Sequence, residues 1–203
     1  MRYRTRIGEV RDEASPVIFL DRDGVLCEER SYVASLAGLH VFPYAKAAVG
    51  KMWKLGYRVI VITNQSCVAR GFATEETVAR IHEHLKRETG VDAIYCCPHL
   101  PPAAGEAETP PYRISCTCRK PRTGLIEQAA RDFLLDMENA YFVGDRAGDI
   151  ETGRAIGAHT VLLESGYGTA RLEKPVRPDM VFDTLADFAD YLERERNNAV
   201  STI

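Results

Sequence analysis

The chain reads as an α/β protein built on a doubly wound, mainly parallel sheet. Its strand-like runs are short and almost wholly apolar rather than alternating, which marks parallel strands covered on both faces. Amphipathic stretches of helical length separate them, and strands alternating with helices wind into such a sheet through right-handed crossovers. At 203 residues the chain is expected to form one domain, 1–203, large enough to hold a core without disulfides.

Strands are predicted at 17–20, 58–62, 93–96, 140–143 and 160–163, with a weaker one at 180–182. Helices are predicted at 44–55, 74–88, 125–134, 149–156 and 185–194. Thr74 before Glu75 and Glu76 is an N-cap followed by early acids, and Gly90 is a stop signal. The segment LPPAAGEAETPPYR at 100–113 reads as an irregular loop. The first fourteen or so residues and the last eight or so are expected to be poorly ordered, as unanchored termini tend to be.

Lys and Arg number 26 against 29 Asp and Glu, a net charge of −3, which excludes a broadly basic nucleic-acid binder while leaving room for a local basic site. No run approaches the ~20 apolar residues of a membrane span. The charged opening MRYRTRIGEVRDEAS leads into no apolar export segment, so a reducing cytosol is the expected compartment. Four of six cysteines fall between Cys96 and Cys118, and in that compartment they favour metal or redox chemistry over disulfides.

Ligands in such sheets bind beyond the carboxyl ends of the strands. Asp21-Arg22-Asp23-Gly24 follows the first strand: two carboxylates one residue apart, with a glycine to permit the turn. Such hard oxygen donors suit Mg²⁺. Thr63-Asn64-Gln65-Ser66 ends the second strand with groups that hydrogen-bond an oxyanion, and Gly144-Asp145-Arg146-Ala147-Gly148-Asp149 ends the fourth with another acid pair. Arg119-Lys120-Pro121 precedes a helix.

Together these residues suggest phosphoryl transfer through a carboxylate nucleophile. Asp21 is the candidate nucleophile and Asp23 the candidate general acid/base. Asp21, the Asp23 backbone carbonyl and Asp145 are candidate Mg²⁺ ligands, with Asp149 holding Lys120 or a metal-bound water. Lys120 and the Thr63 hydroxyl would bind the phosphoryl oxygens.

DRDG, TNQS, RKP and GDRAGD, in this order from about 17 to 161, resemble the haloacid-dehalogenase superfamily of aspartate-nucleophile phosphatases, with its Rossmann-like core. An aspartate two residues after the nucleophile is similar to the phosphatase and phosphotransferase branches and unlike the dehalogenases.

Cys97-Pro98-His99 and Cys116-Thr117-Cys118 frame the proline-rich loop. Cys97, His99, Cys116 and Cys118 can give Zn²⁺ a closed tetrahedral shell, which leaves no place for water and so reads as structural. The zinc loop, about 96–119, would fix Arg119 and Lys120 beside the phosphate site. Within the superfamily, this loop without a large cap domain resembles two branches, the heptose 1,7-bisphosphate phosphatases and the histidinol-phosphate phosphatases. Ser66-Cys67-Val68-Ala69-Arg70-Gly71 is similar to the first branch's S-G-[IV]-A-R-G, and Ser31-Tyr32-Val33 to its G-Y-V, whereas the second typically carries an acid after TNQ.

The resemblance implies a sugar bisphosphate as small-molecule substrate, with Glu29, Arg30, Ser31, Tyr32, Asn64, Gln65, Ser66, Arg119 and Arg146 lining its site. Arg70, Arg119 and Arg146 are cationic candidates for a second phosphate, which histidinol phosphate lacks. Cys67 stands where the family usually has glycine and Cys27 where it often has asparagine; both read as small buried thiols. His82 and His84, two apart on one helix, face different ways and make no metal pair. A zinc-stabilised binding module without catalysis is the reading of another class, and the intact Asp21, Asp23, Lys120 and Asp145 speak against it. The expected partners exclude nucleic acid and membrane, and a monomer is favoured.

Overall fold

A computed structural model describes residues 2–3, 13–102, 110–172 and 175–201. Seven strands form one sheet: β1 (Arg2–Tyr3), β2 (Ser15–Leu20), β3 (Arg58–Asn64), β4 (Ala93–Cys97), β5 (Leu135–Gly144), β6 (His159–Leu163) and β7 (Met180–Phe182). Their order is β1-β4-β3-β2-β5-β6-β7. Six are parallel, and β1 runs antiparallel to β4 at the edge. Five helices accompany them: α1 (Ala45–Lys54), α2 (Glu75–Thr89), α3 (Gly124–Asp132), α4 (Ala147–Ala155) and α5 (Leu185–Ser201).

The period-two geometry of a strand sorts the apolar runs onto two faces. Ile18, Leu20, Val59, Val61 and Val143 pack with Val49 and Met52 of α1, Leu85 of α2 and Phe188 of α5. Val17, Phe19, Ile60, Ile62 and Phe142 pack on the other face with Leu125, Ile126 and Ala129 of α3. Truncating a fully buried core residue such as Met52 costs about 2–5 kcal/mol in cores of this kind.

Local signals set the helix ends. Thr74 accepts from the Thr77 N–H at 3.1 Å, and Gly90 closes α2 at φ +82°. No helix among the described residues is long and apolar enough to cross a membrane.

The termini depart from expectation. Arg2–Tyr3 pairs with Tyr95 and Ile94 although the first residues carry no strand pattern; 4–12 lie outside the described residues. α5 runs on to Ser201, past the predicted end at 194, where the helix-favouring Glu193, Arg194, Glu195 and Arg196 carry the helix on after the apolar face stops. Arg196 also donates to the Leu55 carbonyl at 2.9 Å.

β5 begins at Leu135, not 140, and α3 stops at Asp132. Leu135 and Asp136 pair with Ser15 and Pro16, and the register then shifts so that pairing resumes at Ile18 with Tyr141, which leaves 137–139 as an irregularity that no apolar run announces. Part of the expected irregular loop, 103–109, lies outside the described residues; its base is closed by the Leu100 N–H donating to the Tyr112 carbonyl at 3.0 Å.

Candidate active site

The sheet leaves β2 in one direction for β3 and β4 and in the other for β5, β6 and β7, so its switch point lies between β2 and β5. Asp21, just past β2, and Asp145, just past β5, share that crevice. A cleft of about 550 Å³ opens over Asp21, with Asp145 buried beneath its lining.

Carboxylate oxygens of Asp21, Asp145 and Asp149 all lie within 4.8 Å of one another, and all three residues are buried. Close backbone approach makes room for them. A side-chain carbon on Gly24 (φ +76°) or on Gly166 would strike the Asp145 carboxylate, and one on Gly144 would strike Asp149. Lys120 lies between two of the acids, its Nζ 2.9 Å from Asp21 Oδ1 and 2.6 Å from Asp149 Oδ1. The Lys120 backbone exchanges hydrogen bonds with the Asn64 side chain, donating at 3.1 Å and accepting at 3.2 Å.

Burial, opposed by Lys120 and reinforced by Asp149 and Asp23, lifts the Asp21 carboxyl to about 6. Burial together with Asp149 and Asp21 lifts Asp145 to about 8. For Lys120, burial works against the ammonium, but Asp149 and Asp21 outweigh it and its pKa is raised. Lys120 thus pairs with Asp21 and Asp149, while Arg146, shared with Glu29, has its Nε 3.9 Å from Asp145 Oδ1, so three clustered acids are only partly matched by positive charge. Asp145 Oδ2 accepts from the Tyr167 N–H at 2.8 Å, while its Oδ1 is buried without a hydrogen-bond partner. A buried bare carboxylate oxygen beside two further acids is a donor set that fits a hard divalent cation such as Mg²⁺.

Asp23 stands apart from the three. Both its oxygens are held by Arg22, with Nη2 at 2.8 Å and Nε at 3.1 and 3.2 Å, and Gln65 Nε2 donates to Oδ2 at 2.9 Å. Gln65 Nε2 also reaches the Thr63 hydroxyl at 2.9 Å, beneath the cleft. Cys27 and Cys67 are buried as expected. Cys27 Sγ lies 3.5 Å from Asp23 Oδ1, and Cys67 Sγ lies 3.8 Å from the Gln65 carbonyl.

Of the expected substrate contacts, Glu29, Ser31, Tyr32, Asn64, Gln65, Ser66, Arg70, Arg119 and Arg146 line the cleft. Arg30 does not. It turns outward to Glu28 at 3.2 Å, because Ser31 takes a left-handed φ of 62° and reverses the chain there. Arg70 lies over the Tyr32 ring, and Arg119 donates to the His99 carbonyl at 3.0 Å. Arg146 pairs with Glu29 at 2.9 Å.

Tyr167 and Arg171 also line the cleft, on the loop after β6. The strand-end rule, extended to the fifth predicted strand, would have reached them. Arg22 would have followed from alternation: with Asp21 and Asp23 facing the cleft, the residue between them must face inward.

The four candidate zinc ligands converge. Cys97, His99, Cys116 and Cys118 place their ligand atoms within 4.8 Å of one another. Cys118 Sγ is 3.2 Å from Cys97 Sγ, 3.3 Å from Cys116 Sγ and 3.2 Å from His99 Nδ1. Hydrogen bonding from Cys97 above all lowers the Cys118 thiol to about 5. Three sulfurs and an imidazole nitrogen in this grouping fit one tetrahedral Zn²⁺.

The HAD-hydrolase-like family model matches residues 117–188. The D-glycero-beta-D-manno-heptose-1,7-bisphosphate 7-phosphatase of Haemophilus ducreyi is 34% identical over 183 residues, 86% of this chain and 97% of that protein. The protein of the same name from Pseudomonas putida is 35% identical, over 85% of this chain and 97% of its own. Among solved structures, the D,D-heptose 1,7-bisphosphate phosphatase from B. bronchiseptica, complexed with magnesium and phosphate, is similar with a TM-score of 0.76 and 30% identity, covering 89% of this chain and 99% of that one. The chain belongs to the haloacid-dehalogenase-like family of phosphatases, as a phosphoric monoester hydrolase similar to the heptose-bisphosphate phosphatases.

Proposed function

We propose that this chain is a Mg²⁺-dependent phosphatase that removes the 7-phosphate of D-glycero-D-manno-heptose 1,7-bisphosphate, leaving heptose 1-phosphate for nucleotide-activated heptose synthesis. The observation that carries this reading is Lys120 bridging Asp21 and Asp149 beside the buried Asp145 Oδ1, which accepts no hydrogen bond. That arrangement sets a nucleophile, a cation for phosphoryl oxygens and a divalent-cation seat in one buried crevice.

Asp21, with a carboxyl near 6, is mostly ionised at neutral pH and available to attack. Its oxygen bonds to phosphorus as the phosphorus–sugar oxygen bond breaks, and Asp23 gives its proton to the departing alkoxide. In the second step the oxygen of a water bonds to phosphorus and the Asp21–phosphorus bond breaks. Asp23 takes the water's proton. Lys120 and the Thr63 hydroxyl hold phosphoryl oxygens, where fixed donors are worth most. Asp21, the Asp23 backbone carbonyl and Asp145 would hold Mg²⁺, which when bound offsets charge between the nucleophile and the phosphate. Asp149 orients Lys120.

Residues 1–203 act as one domain, and the Cys97, His99, Cys116 and Cys118 site takes a structural Zn²⁺ that fixes Arg119 and Lys120. A reducing cytosol suits those thiols. Turnover of α- and β-heptose 1,7-bisphosphate should be measured beside histidinol phosphate in Mg²⁺. We expect either heptose anomer to exceed histidinol phosphate in kcat/KM. Preference for histidinol phosphate would overturn the substrate assignment, and absence of metal-dependent phosphate release would overturn the activity.

A further inference from the structure

We infer that Arg22 is the positioning residue for the proton-transferring carboxylate, with His82 of α2 closing the other side of its guanidinium. This rests on the proposed acid–base role of Asp23.

Arg22 is wholly buried and is, among the described residues, the largest side chain to be so. A guanidinium taken out of water needs matched charge and matched hydrogen bonds. Among the described residues, Asp23 is the carboxylate paired with it. The fork of Nε–H and Nη2–H reaches both Asp23 oxygens, which fixes the plane of the carboxylate as well as its distance.

Nη1 points away to His82 Nε2 at 3.2 Å, on a histidine 1% exposed. Burial, and then Arg22 itself, keep the His82 imidazole neutral, so the nitrogen facing Nη1 can accept. Gln65 supplies a third donor to Asp23. The Asp23 side chain keeps 18% of its surface and lines the cleft, so the held carboxylate still meets substrate. A misplacement of an ångström at such a group costs about 10²-fold in rate. The turn at Asp23 would not by itself fix the rotamer. The buried fork does.

The test uses leaving groups of different need. A sugar alkoxide must be protonated as it departs, whereas 4-nitrophenolate leaves unaided. Single-turnover release of the leaving group reads the first transfer alone, so it is measured with heptose 1,7-bisphosphate and with 4-nitrophenyl phosphate, both in Mg²⁺. Asp23→Asn should lower the alkyl rate about 10²–10⁴-fold, with a much smaller loss on the aryl ester. Arg22→Lys keeps a buried charge but loses the fork, and should lower the alkyl-to-aryl ratio by about 10-fold or more. His82→Leu should lower the ratio in the same direction, and His82→Gln, which keeps an acceptor, should restore it.

A folded Arg22→Lys protein with an unchanged ratio, including one that loses both rates equally, overturns the inference. If Arg22→Lys does not fold, an unchanged ratio in His82→Leu overturns it instead. An unchanged ratio in Asp23→Asn would overturn the acid–base role of Asp23 itself and the Arg22 inference with it, whereas a fall there without one in Arg22→Lys overturns the Arg22 inference alone.

Discussion

Arg146 lies flat against Tyr167, its guanidinium carbon 3.9 Å from the ring centroid. Glu29 holds the same guanidinium at 2.9 Å, so its charge is already matched and its plane fixed before any ligand arrives. Arg70 and Arg119 differ: among the described residues neither has an ion pair, and both face the cleft. Arg171, which lies over the Tyr167 ring, is likewise without an ion pair among the described residues, so the excess positive charge at the mouth belongs to Arg70, Arg119 and Arg171.

Arg119→Ala should accordingly penalise a bisphosphate far more than a monophosphate. A charge-assisted hydrogen bond is worth about 1.5–3 kcal/mol, or roughly 10–150-fold in kcat/KM. Arg146→Ala should discriminate less, since it also releases Glu29. Measured kcat/KM for both variants on heptose 1,7-bisphosphate and histidinol phosphate decides the matter. Equal losses on the two substrates for Arg119→Ala would remove it from phosphate selection.

Asp21→Asn should abolish turnover, because an amide cannot form the acyl phosphate. The fold should survive, since the change removes one carboxylate from a buried cluster of three acids and leaves Lys120 its pair with Asp149. Phosphate release together with circular dichroism checks both halves. Retained activity would sink the nucleophile assignment.

One Zn²⁺ should accompany each chain, and Cys116→Ser should lower both zinc content and thermal midpoint, because a metal held by these ligands would tie β4 to the segment ahead of α3. Metal analysis of freshly reduced protein checks the first claim and a melting curve the second. Zinc-free protein with full thermal stability would refute it.

The raised carboxyls make a pH prediction. Asp21, near 6, and Asp145, near 8, bind protons more tightly folded than their usual 3.8 allows. The Mg²⁺-free native state thus holds extra protons between pH about 4 and 8, and its stability falls as pH rises through that window. Thermal midpoints at pH 5 and pH 8 should show a steeper decline for the parent protein than for Asp145→Asn. Added Mg²⁺ should raise the parent's midpoint more at pH 8, where the site holds fewer protons than at pH 5. Identical slopes for the two proteins would contradict this.

The parallel core was legible because both sheet faces are covered, which turns each strand into a plain apolar run. The start of β5 was not, since Leu135 and Asp136 pair through the backbone ahead of an irregular stretch in which only Met137 packs on the core. Arg2 and Tyr3 were hidden for a related reason: an edge strand of two residues leaves no period. In the site, Asp21, Lys120, Asp145 and Asp149 were readable because strand ends converge whatever the loops do. Arg30 was misjudged, since a left-handed Ser31 turns its neighbour outward and no composition signal marks that. The Arg146 contacts to Glu29 and Tyr167 join segments far apart in the chain, and local pattern carries no trace of them.

The Leu100–Tyr112 hydrogen bond has an evolutionary corollary. It closes the loop at its base, so residues can be gained or lost beyond it without disturbing what the base supports. The stretch from Cys118 to Lys120 has no such slack, with one residue between a side chain in the Cys/His cluster and an ammonium seated on Asp21 and Asp149. Length variation among relatives should therefore collect at the loop's tip and be shunned at Arg119. That would leave substrate reach open to tuning while the phosphate seat stays at constant distance from the cysteine cluster.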